Sequence, residues 1–197
     1  KHLRMAREFY ENKTIAFELS PLWCDCDPQT RNEEKLHIFD VDYIASLIEE
    51  SGAGLLLDFS HMIIGALSRQ RTGIDKRSIT EYFNELLEKT AGKVVQVHIA
   101  TPRLAENDMC DKDAALDLDD PTSVLVMHLA KKAVEKNKEA LMTITLEMNP
   151  HLAPKEHVKL LLKQARLLKE YIIDGEKELP FLDKRYTQDK KSKKNQP

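Results

Sequence analysis

The sequence predicts an α/β fold in which parallel strands alternate with helices and curve into all or part of a (β/α) barrel. Two observations support this prediction. Four short apolar runs recur at intervals of roughly 40 residues, each followed by a helical pattern, as in the β/α units of a parallel sheet. Each run also ends on a residue that can bind a metal ion, and parallel α/β folds gather their chemistry at the carboxyl ends of strands.

The four predicted strands are short and mostly apolar. They cover residues 15–18, 54–58, 93–99 and 141–147. The metal-binding residue types at their ends are Glu18, Asp58 with His61 one helical turn later, His98 and Glu147. Because the carboxyl ends of parallel strands meet at one edge of a sheet, we expect these five side chains to lie close together.

Helical patterns fill most of the connections. Apolar residues at helical spacing predict helices over Val41 to Glu50, from about Asp75 to Lys89, from Pro121 through Val134, and from Pro154 onward. The last of these carries a strong apolar stripe, made by Val158, Leu161, Leu162, Ala165 and Leu168. Polar stretches predict loops over Ser20 to Asp40, around Arg69 and Gly73, and from Thr101 to Asp120.

The two faces of the predicted strands differ in polarity. Residues two apart in a strand share a face. The face with the ligand-type residues carries small or polar side chains such as Ala16, Gln96 and Thr145, whereas the opposite face is large and apolar. An open doubly wound sheet also fits the alternation of strands and helices, but its two covered faces should be more evenly apolar. The asymmetry therefore favours a barrel.

Composition limits the classes of partner. With 30 Lys and Arg against 33 Asp and Glu, the net charge of -3 gives no global attraction to nucleic acid or to an anionic membrane. No apolar stretch approaches the ~20 residues of a membrane helix, and the N-terminus lacks the layout of a signal peptide. We therefore expect a cytoplasmic protein without a membrane partner.

The chain has three cysteines, Cys24, Cys26 and Cys110, and we expect them to be reduced thiols.

The ligand-type residues offer three carboxylates and two imidazoles. Mixed oxygen and nitrogen donors suit Fe(II), Mn and Zn, whereas a purely carboxylate cage favours Mg or Ca. A carboxylate can also bridge two cations that together hold a substrate. Burying Glu18 and Glu147 inside a barrel without a cation would be costly, because an unpaired buried carboxylate is strongly disfavoured. The sequence therefore predicts a site for divalent metal ions.

Three further residues are candidates for substrate binding. Arg69 and Arg103 are predicted in loops on the same rim as the ligands, where a guanidinium group could bind a phosphate or carboxylate. Trp23, in the long loop after the first strand, is predicted to line the pocket. The alternatives are solvated arginines and an aromatic ring that anchors its own loop.

The order of these residues resembles a known superfamily. Glu18 at a strand end, then residues 58–61 with Asp58 and His61, then His98 and Glu147, are similar to the second half of xylose isomerase-like TIM barrels. That superfamily includes sugar isomerases and epimerases and the endonuclease IV group. Residues 54–61, 95–100 and 145–147 look most similar to its multinuclear non-haem iron enzymes, which oxidatively modify cysteine-containing peptides.

The resemblance implies a metal-dependent enzyme. It implies that one to three divalent ions, with iron favoured and manganese or zinc as alternatives, are held by Glu18, Asp58, His61, His98 and Glu147. The leading expectation is iron-dependent oxidation of a peptide or small molecule by a centre that activates O2. A sugar or sugar-phosphate isomerase or epimerase stays open, in which Glu18 or Glu147 moves a proton beside a metal-polarised carbonyl. An endonuclease IV-like hydrolase is a further alternative.

The number of strands is half of what such a barrel needs. A complete barrel has eight strands and typically about 250 residues, whereas four strands are predicted here. We expect residues 1–183 to form the last four β/α units and residues 184–197 to form a disordered, Lys-rich tail. Three explanations remain open: a fragment that lacks an upstream half-barrel, a homodimer of half-barrels, and a degenerate relative. The last includes an inactive half-barrel that serves as a binding or assembly module.

Overall fold

The computed structural model describes residues 14–20, 33–105, 108–147 and 154–187. Its strands are β1 (Ala16–Glu18), β2 (Gly54–Asp58), β3 (Val94–Ile99), β4 (Thr101–Ala105), β5 (Asp108–Ala114) and β6 (Thr143–Leu146). Its helices are a 3-10 helix (Glu33–Phe39), α1 (Val41–Ser51), α2 (Phe59–Arg71), α3 (Ile79–Lys89), α4 (Pro121–Lys136), α5 (Pro154–Leu168) with a π-helical turn after it (Lys169–Ile173), and α6 (Lys184–Thr187).

Four parallel strands form one sheet in the order of the chain, β1-β2-β3-β6. Asp58 of β2 lies opposite His98 of β3, and His98 lies opposite Thr145 of β6. The hairpin of β4 and β5 forms a separate antiparallel sheet. The predicted α/β class with a parallel sheet is therefore confirmed. Within the described ranges this sheet ends at β1 on one side and β6 on the other, so a closed barrel is not observed there.

The two faces of the parallel sheet are buried to different extents. On one face, the side chains are fully buried in the core that the helices complete: Leu55, Leu57, Val97 and Ile99. On the other face, Asp58 is buried at the edge of the sheet, whereas the remaining side chains are only partly buried: Leu56, Gln96, His98 and Thr145. Right-handed crossovers between successive parallel strands place the helices on one side of a sheet. The ligand-type residues therefore belong to the side that the helices leave uncovered.

Local capping sets the helix boundaries. The Asp40 carboxylate accepts hydrogen bonds from the first backbone N–H groups of α1, and Gly52 ends that helix in the left-handed conformation, with φ 62°. At α3, Ser78 and Glu81 form a reciprocal capping box. These short-range signals explain why α1 and α3 end within a few residues of their predicted limits.

Helix α2 occupies a stretch that was predicted as a loop around Arg69. The consecutive side chains Met62, Ile63 and Ile64 are all buried, although they point in different directions around the helix axis. A helix that is buried almost all round has no amphipathic period, and the period is the signal on which the helix predictions depend. The prediction of a loop there is wrong for this reason.

The segment from Thr101 to Asp120, predicted as a loop, contains the antiparallel hairpin of β4 and β5. Cys110 of β5 is buried and disulfide-bonded, so the expectation of reduced thiols is wrong for this residue. Cys24 and Cys26 lie outside the described residues.

Among the described helices, none has the length and apolarity needed to cross a lipid bilayer.

The last helices differ from the prediction in orientation and extent. In α5, Val158 and Leu162 of the apolar stripe are 56% exposed, while Gln164 and Leu168 are buried. Oε1 of Gln164 accepts a hydrogen bond from the backbone N–H of Leu116, and Nε2 of Gln164 donates one to the Leu116 carbonyl. These two hydrogen bonds offset the cost of burying the amide. Tyr186 of α6 is buried and its backbone carbonyl accepts from Thr80, so the packed domain extends past the predicted boundary at residue 183.

The close approach of α2 to the 3-10 helix requires Gly65. A methyl group at this position would lie 2.3 Å from Cδ1 of the buried Phe39 ring. Although Ala is the better helix former, we expect Gly65→Ala to destabilise the protein by about 1–3 kcal/mol through overpacking. Urea unfolding should show this loss. Ser46→Ala, on the exposed side of α1, is the control and should change stability by less than about 0.5 kcal/mol. An unchanged or raised stability of Gly65→Ala would contradict the packing described.

Candidate metal centre

The carboxyl edge of the parallel sheet brings the five ligand-type residues into one cluster. They come from four elements: Glu18 from the end of β1, Asp58 and His61 from the junction of β2 and α2, His98 from β3, and Glu147 from the residue after β6. Backbone pairing continues to that edge, since Glu147 donates its N–H to the carbonyl of Ile99. Parallel pairing therefore aligns residues that are about 130 positions apart in the chain.

Asp58 lies at the centre of the cluster and has two structural roles. Its side chain is 1% exposed, and its Oδ1 accepts a 2.8 Å hydrogen bond from the backbone N–H of His61. It is thus the N-cap of α2, which explains why a strand ending on Asp is followed at once by a helix. Its second oxygen, Oδ2, is left for other partners.

His61 lies among three carboxylates. Its Nδ1 is 2.9 Å from Oε1 of Glu18 and 3.9 Å from Oδ1 of Asp58. Its other ring nitrogen, Nε2, is 2.8 Å from Oδ2 of Asp111 on β5. Nδ1 and Nε2 therefore face different carboxylates on opposite sides of the ring.

His98 repeats the arrangement on the other side of Asp58. Its Nδ1 is 2.7 Å from Oε2 of Glu147 and 3.6 Å from Oδ2 of Asp58. Its Nε2 is 2.9 Å from Nε2 of Gln96, two residues earlier on the same face of β3. Here too, one ring nitrogen faces the acidic cluster and the other faces a supporting side chain.

The contacts between the rings and the carboxylates fit shared metal ligands better than hydrogen bonds. Nδ1 of His61, Nδ1 of His98, Oδ2 of Asp58 and Oε2 of Glu147 are buried and have no hydrogen-bond partner of acceptable geometry. Such a group of orphaned polar atoms is costly unless something satisfies it. Donor atoms that share one ion at ~2.1 Å lie about 3.0–3.4 Å apart, so the 2.9 Å contact of His61 with Glu18 and the 2.7 Å contact of His98 with Glu147 need to open only slightly to admit an ion. The donors present therefore fit a divalent metal ion.

The cluster divides into two groups of three donors. Glu18, Asp58 and His61 form the first, and Asp58, His98 and Glu147 form the second; in each group the ligand atoms lie within 4.8 Å of one another. Asp58 belongs to both groups, and its Oδ1 faces His61 while its Oδ2 faces His98. The donors are thus arranged in two candidate groups that share the carboxylate of Asp58.

The charges of the cluster shift two pKa values. Burial raises the pKa of Asp58 to about 6, although the charge of His61 and the hydrogen bond from the His61 backbone N–H both lower this pKa. Burial also disfavours a charged His61, but the hydrogen bond to Asp111 and the charges of Asp58 and Glu18 outweigh it and raise its pKa to about 9. Without a metal, a proton on His61 therefore supplies the positive charge that the carboxylates lack.

Metal uptake should displace that proton. Because the pKa of His61 is about 9 and that of Asp58 about 6, binding at pH 7.5 is expected to release about one proton, taken from His61. Apparent affinity should rise by up to about tenfold per pH unit between pH 7 and pH 9 and level off above that. Calorimetry in two buffers of different ionisation enthalpy measures the proton count. Binding without proton release at pH 7.5 would contradict the assignment of His61 as a ligand.

The three predicted substrate residues are placed differently. Arg69 is in the last turn of α2 and 5% exposed; it donates to the Leu36 carbonyl and to the Asp40 carboxylate, so it is a buried structural residue rather than a rim residue in a loop. The C-terminal end of α2 points away from the carboxyl edge of the strands. Arg103 is exposed on β4, in the hairpin that carries Asp111. Trp23 lies outside the described residues.

Asp111 and Gln96 join the site although sequence analysis did not select them. Gln96 could have been found from strand alternation, because it precedes His98 by two residues and shares its face. Asp111 has no such local signal, since it lies 50 residues from His61 in a hairpin that was not predicted.

Comparisons of the chain with protein-family models, with curated proteins and with solved structures found no match.

Proposed function

We propose that this protein is a metal-dependent enzyme whose centre holds two divalent ions, bridged by Asp58. The observation that carries the proposal is the pair of three-donor groups that share this carboxylate. Glu18 and His61 would complete the first ion position, and His98 and Glu147 the second. The orphaned ring and carboxylate atoms between them support the same conclusion, because an ion at each position would satisfy them.

We further propose that the parallel sheet is part of a (β/α) barrel of the xylose isomerase-like kind. Two features support this. The strands lie in chain order without a reversal, whereas a doubly wound sheet reverses its strand order at the switch point. The buried apolar face also lies on the helix side, while the polar face carries the site. A barrel would enclose that polar face.

Among reactions, we favour iron-dependent oxidation of a peptide or small molecule. Iron supplies electron transfer and the activation of O2 when bound by mixed nitrogen and oxygen donors. The chain's own residues would hold and orient the substrate from the uncovered side. Glu18 and Glu147, whose side chains are 32% and 43% exposed, lie where a substrate could reach them. Asp58, which is buried, serves only the centre itself.

Sugar or sugar-phosphate isomerisation is the second candidate, and the same exposure favours it. A partly exposed carboxylate beside a metal position can accept a proton from a bound substrate and return it to the neighbouring carbon. Glu147 meets this requirement, because its side chain is 43% exposed and its Oε2 lies beside Nδ1 of His98. In this reaction its role would be that of a base, whereas in oxidation it would remain a ligand.

Elemental analysis of protein purified without added metal tests the proposal. Iron as the main metal would support the oxidative function, and manganese, zinc or cobalt would support the isomerase. A folded sample with less than about a tenth of an equivalent of any transition metal, and no uptake when these metals are added, would overturn both and leave a non-enzymatic binding or assembly module. Glu147→Gln should lower the metal content, whereas Glu139→Gln, exposed in the turn at the opposite end of β6, should not.

A further inference from the structure

The two candidate ion positions differ in the residue behind each histidine. Asp111 stands behind His61, and Gln96 stands behind His98. We propose that this difference makes the positions unequal: the His61 position binds its ion first and more tightly, and the His98 position binds the second, more exchangeable ion. The inference rests on the proposed two-metal function and adds an order of loading to it. Asp111 and Gln96 are positioning residues in this scheme.

Asp111 prepares His61 for a metal ion. An ionised carboxylate can only accept hydrogen bonds, so Oδ2 of Asp111, 2.8 Å from Nε2, holds the ring proton on Nε2. When an ion displaces the second ring proton, the lone pair of Nδ1 is directed at the position between Glu18 and Asp58. A carboxylate behind a ligating histidine also raises the basicity of the ring, which strengthens its bond to a metal.

Gln96 does not prepare His98 in the same way. Its amide Nε2 is 2.9 Å from Nε2 of His98 and 3.3 Å from Oγ1 of Thr145, so the amide donates toward both. A donor at Nε2 places the ring proton on Nδ1, which is the nitrogen that faces Glu147 and Asp58. Ligation through Nδ1 requires the amide to turn over, so that its oxygen accepts from Nε2–H. That rearrangement costs part of the binding free energy.

Local charge acts in the same direction. The His61 position is flanked by Glu18 and Asp111 in addition to the shared Asp58. The His98 position has Glu147 and Asp58, with a neutral amide behind the ring. One more carboxylate within contact of His61 favours a cation at the first position.

Reciprocal variants test the order of loading. Metal-free protein is titrated with Zn²⁺ by calorimetry and with Co²⁺ by visible absorption, which reports the ligand field. We expect two steps that differ in Kd by at least about tenfold. Asp111→Asn should weaken the first step by about 10- to 100-fold, the range typical of groups that support a metal ligand. Gln96→Glu should tighten the second step and leave the first unchanged. Glu139→Gln, far from the site, should change neither.

The outcomes separate this inference from the function on which it rests. Two steps of equal affinity in the unmodified protein, or variants that shift the opposite step, would overturn the order of loading and leave the two-metal function intact. Absence of any Zn²⁺ or Co²⁺ binding would overturn the function itself. If Asp111→Asn fails to fold, Gln96→Glu decides, because misfolding cannot produce a tighter second step.

Discussion

Replacing Asp58 with Asn is expected to remove both metal ions at once. Asp58 is the only residue shared by the two three-donor groups among the described residues, and its two oxygens face different histidines. Asn keeps one oxygen and loses the negative charge that both positions share. We expect the affinity of each position to fall by more than about 100-fold, since even groups that only support a ligand change affinity by about 10- to 100-fold.

The variant is informative because it should leave the fold intact. Asn is as good an N-cap as Asp, so the hydrogen bond to the backbone N–H of His61 can persist. Burial raises the pKa of Asp58 to about 6, which means that its ionised form costs stability in the metal-free protein as pH rises through that value. Asn removes this cost. At pH 8, metal-free Asp58→Asn should therefore be as stable as the metal-free parent or more stable, by less than about 3 kcal/mol.

Single variants on either side of Asp58 provide the contrast. Glu18→Gln should weaken only the first ion position and Glu147→Gln only the second, each leaving about one ion bound. Elemental analysis after gel filtration, with circular dichroism as the check of folding, measures all three variants. Retention of one full ion by Asp58→Asn would show that the carboxylate does not bridge two positions.

Removing the metal ions is expected to lower the melting temperature by about 10–20 °C. A ligand present at 100 times its Kd stabilises a protein by about 2.7 kcal/mol, so two ions contribute about 5 kcal/mol. For a chain of this size, each kcal/mol corresponds to about 2–4 °C. The physical reason is that the ions satisfy the buried carboxylate and ring atoms that otherwise lack partners. Differential scanning calorimetry before and after chelation with EDTA measures the shift.

Asp58→Asn is the control for this effect. Because it should bind neither ion, its melting temperature should not respond to EDTA or to added Zn²⁺. The melting temperature of the unmodified protein could instead stay the same when two bound ions are removed. That result would mean that the ions contact the folded surface without satisfying the buried cluster.

Much of the candidate site could be predicted because its signals are local. A strand that ends on Asp58 and continues into a helix carries its capping signal within four residues, and strand alternation assigns Gln96 and His98 to one face. Parallel pairing in chain order then suffices to bring Glu18 and Glu147 to the same edge. No long-range information beyond the type of sheet is needed for this step.

The remaining features depend on tertiary contacts that sequence patterns do not express. Arg69 is held by Asp40 and the backbone of Leu36, and its helix is buried almost all round, so neither its position nor its partners follow from periodicity. Gln164 is buried in α5 because it pairs with the backbone of Leu116, against the apolar pattern of the helix. Asp111 reaches His61 only through the hairpin. In each case a polar side chain finds a distant backbone or charged partner.

Anomalous X-ray diffraction from crystals loaded with Co²⁺ tests the two-ion centre most directly. We predict two anomalous peaks on opposite sides of Asp58, one among Glu18, Asp58 and His61 and the other among Asp58, His98 and Glu147. Under limiting Co²⁺, the peak beside His61 should fill first. A single peak at full occupancy, or two peaks of which neither contacts Asp58, would contradict the bridged centre on which the proposed function rests.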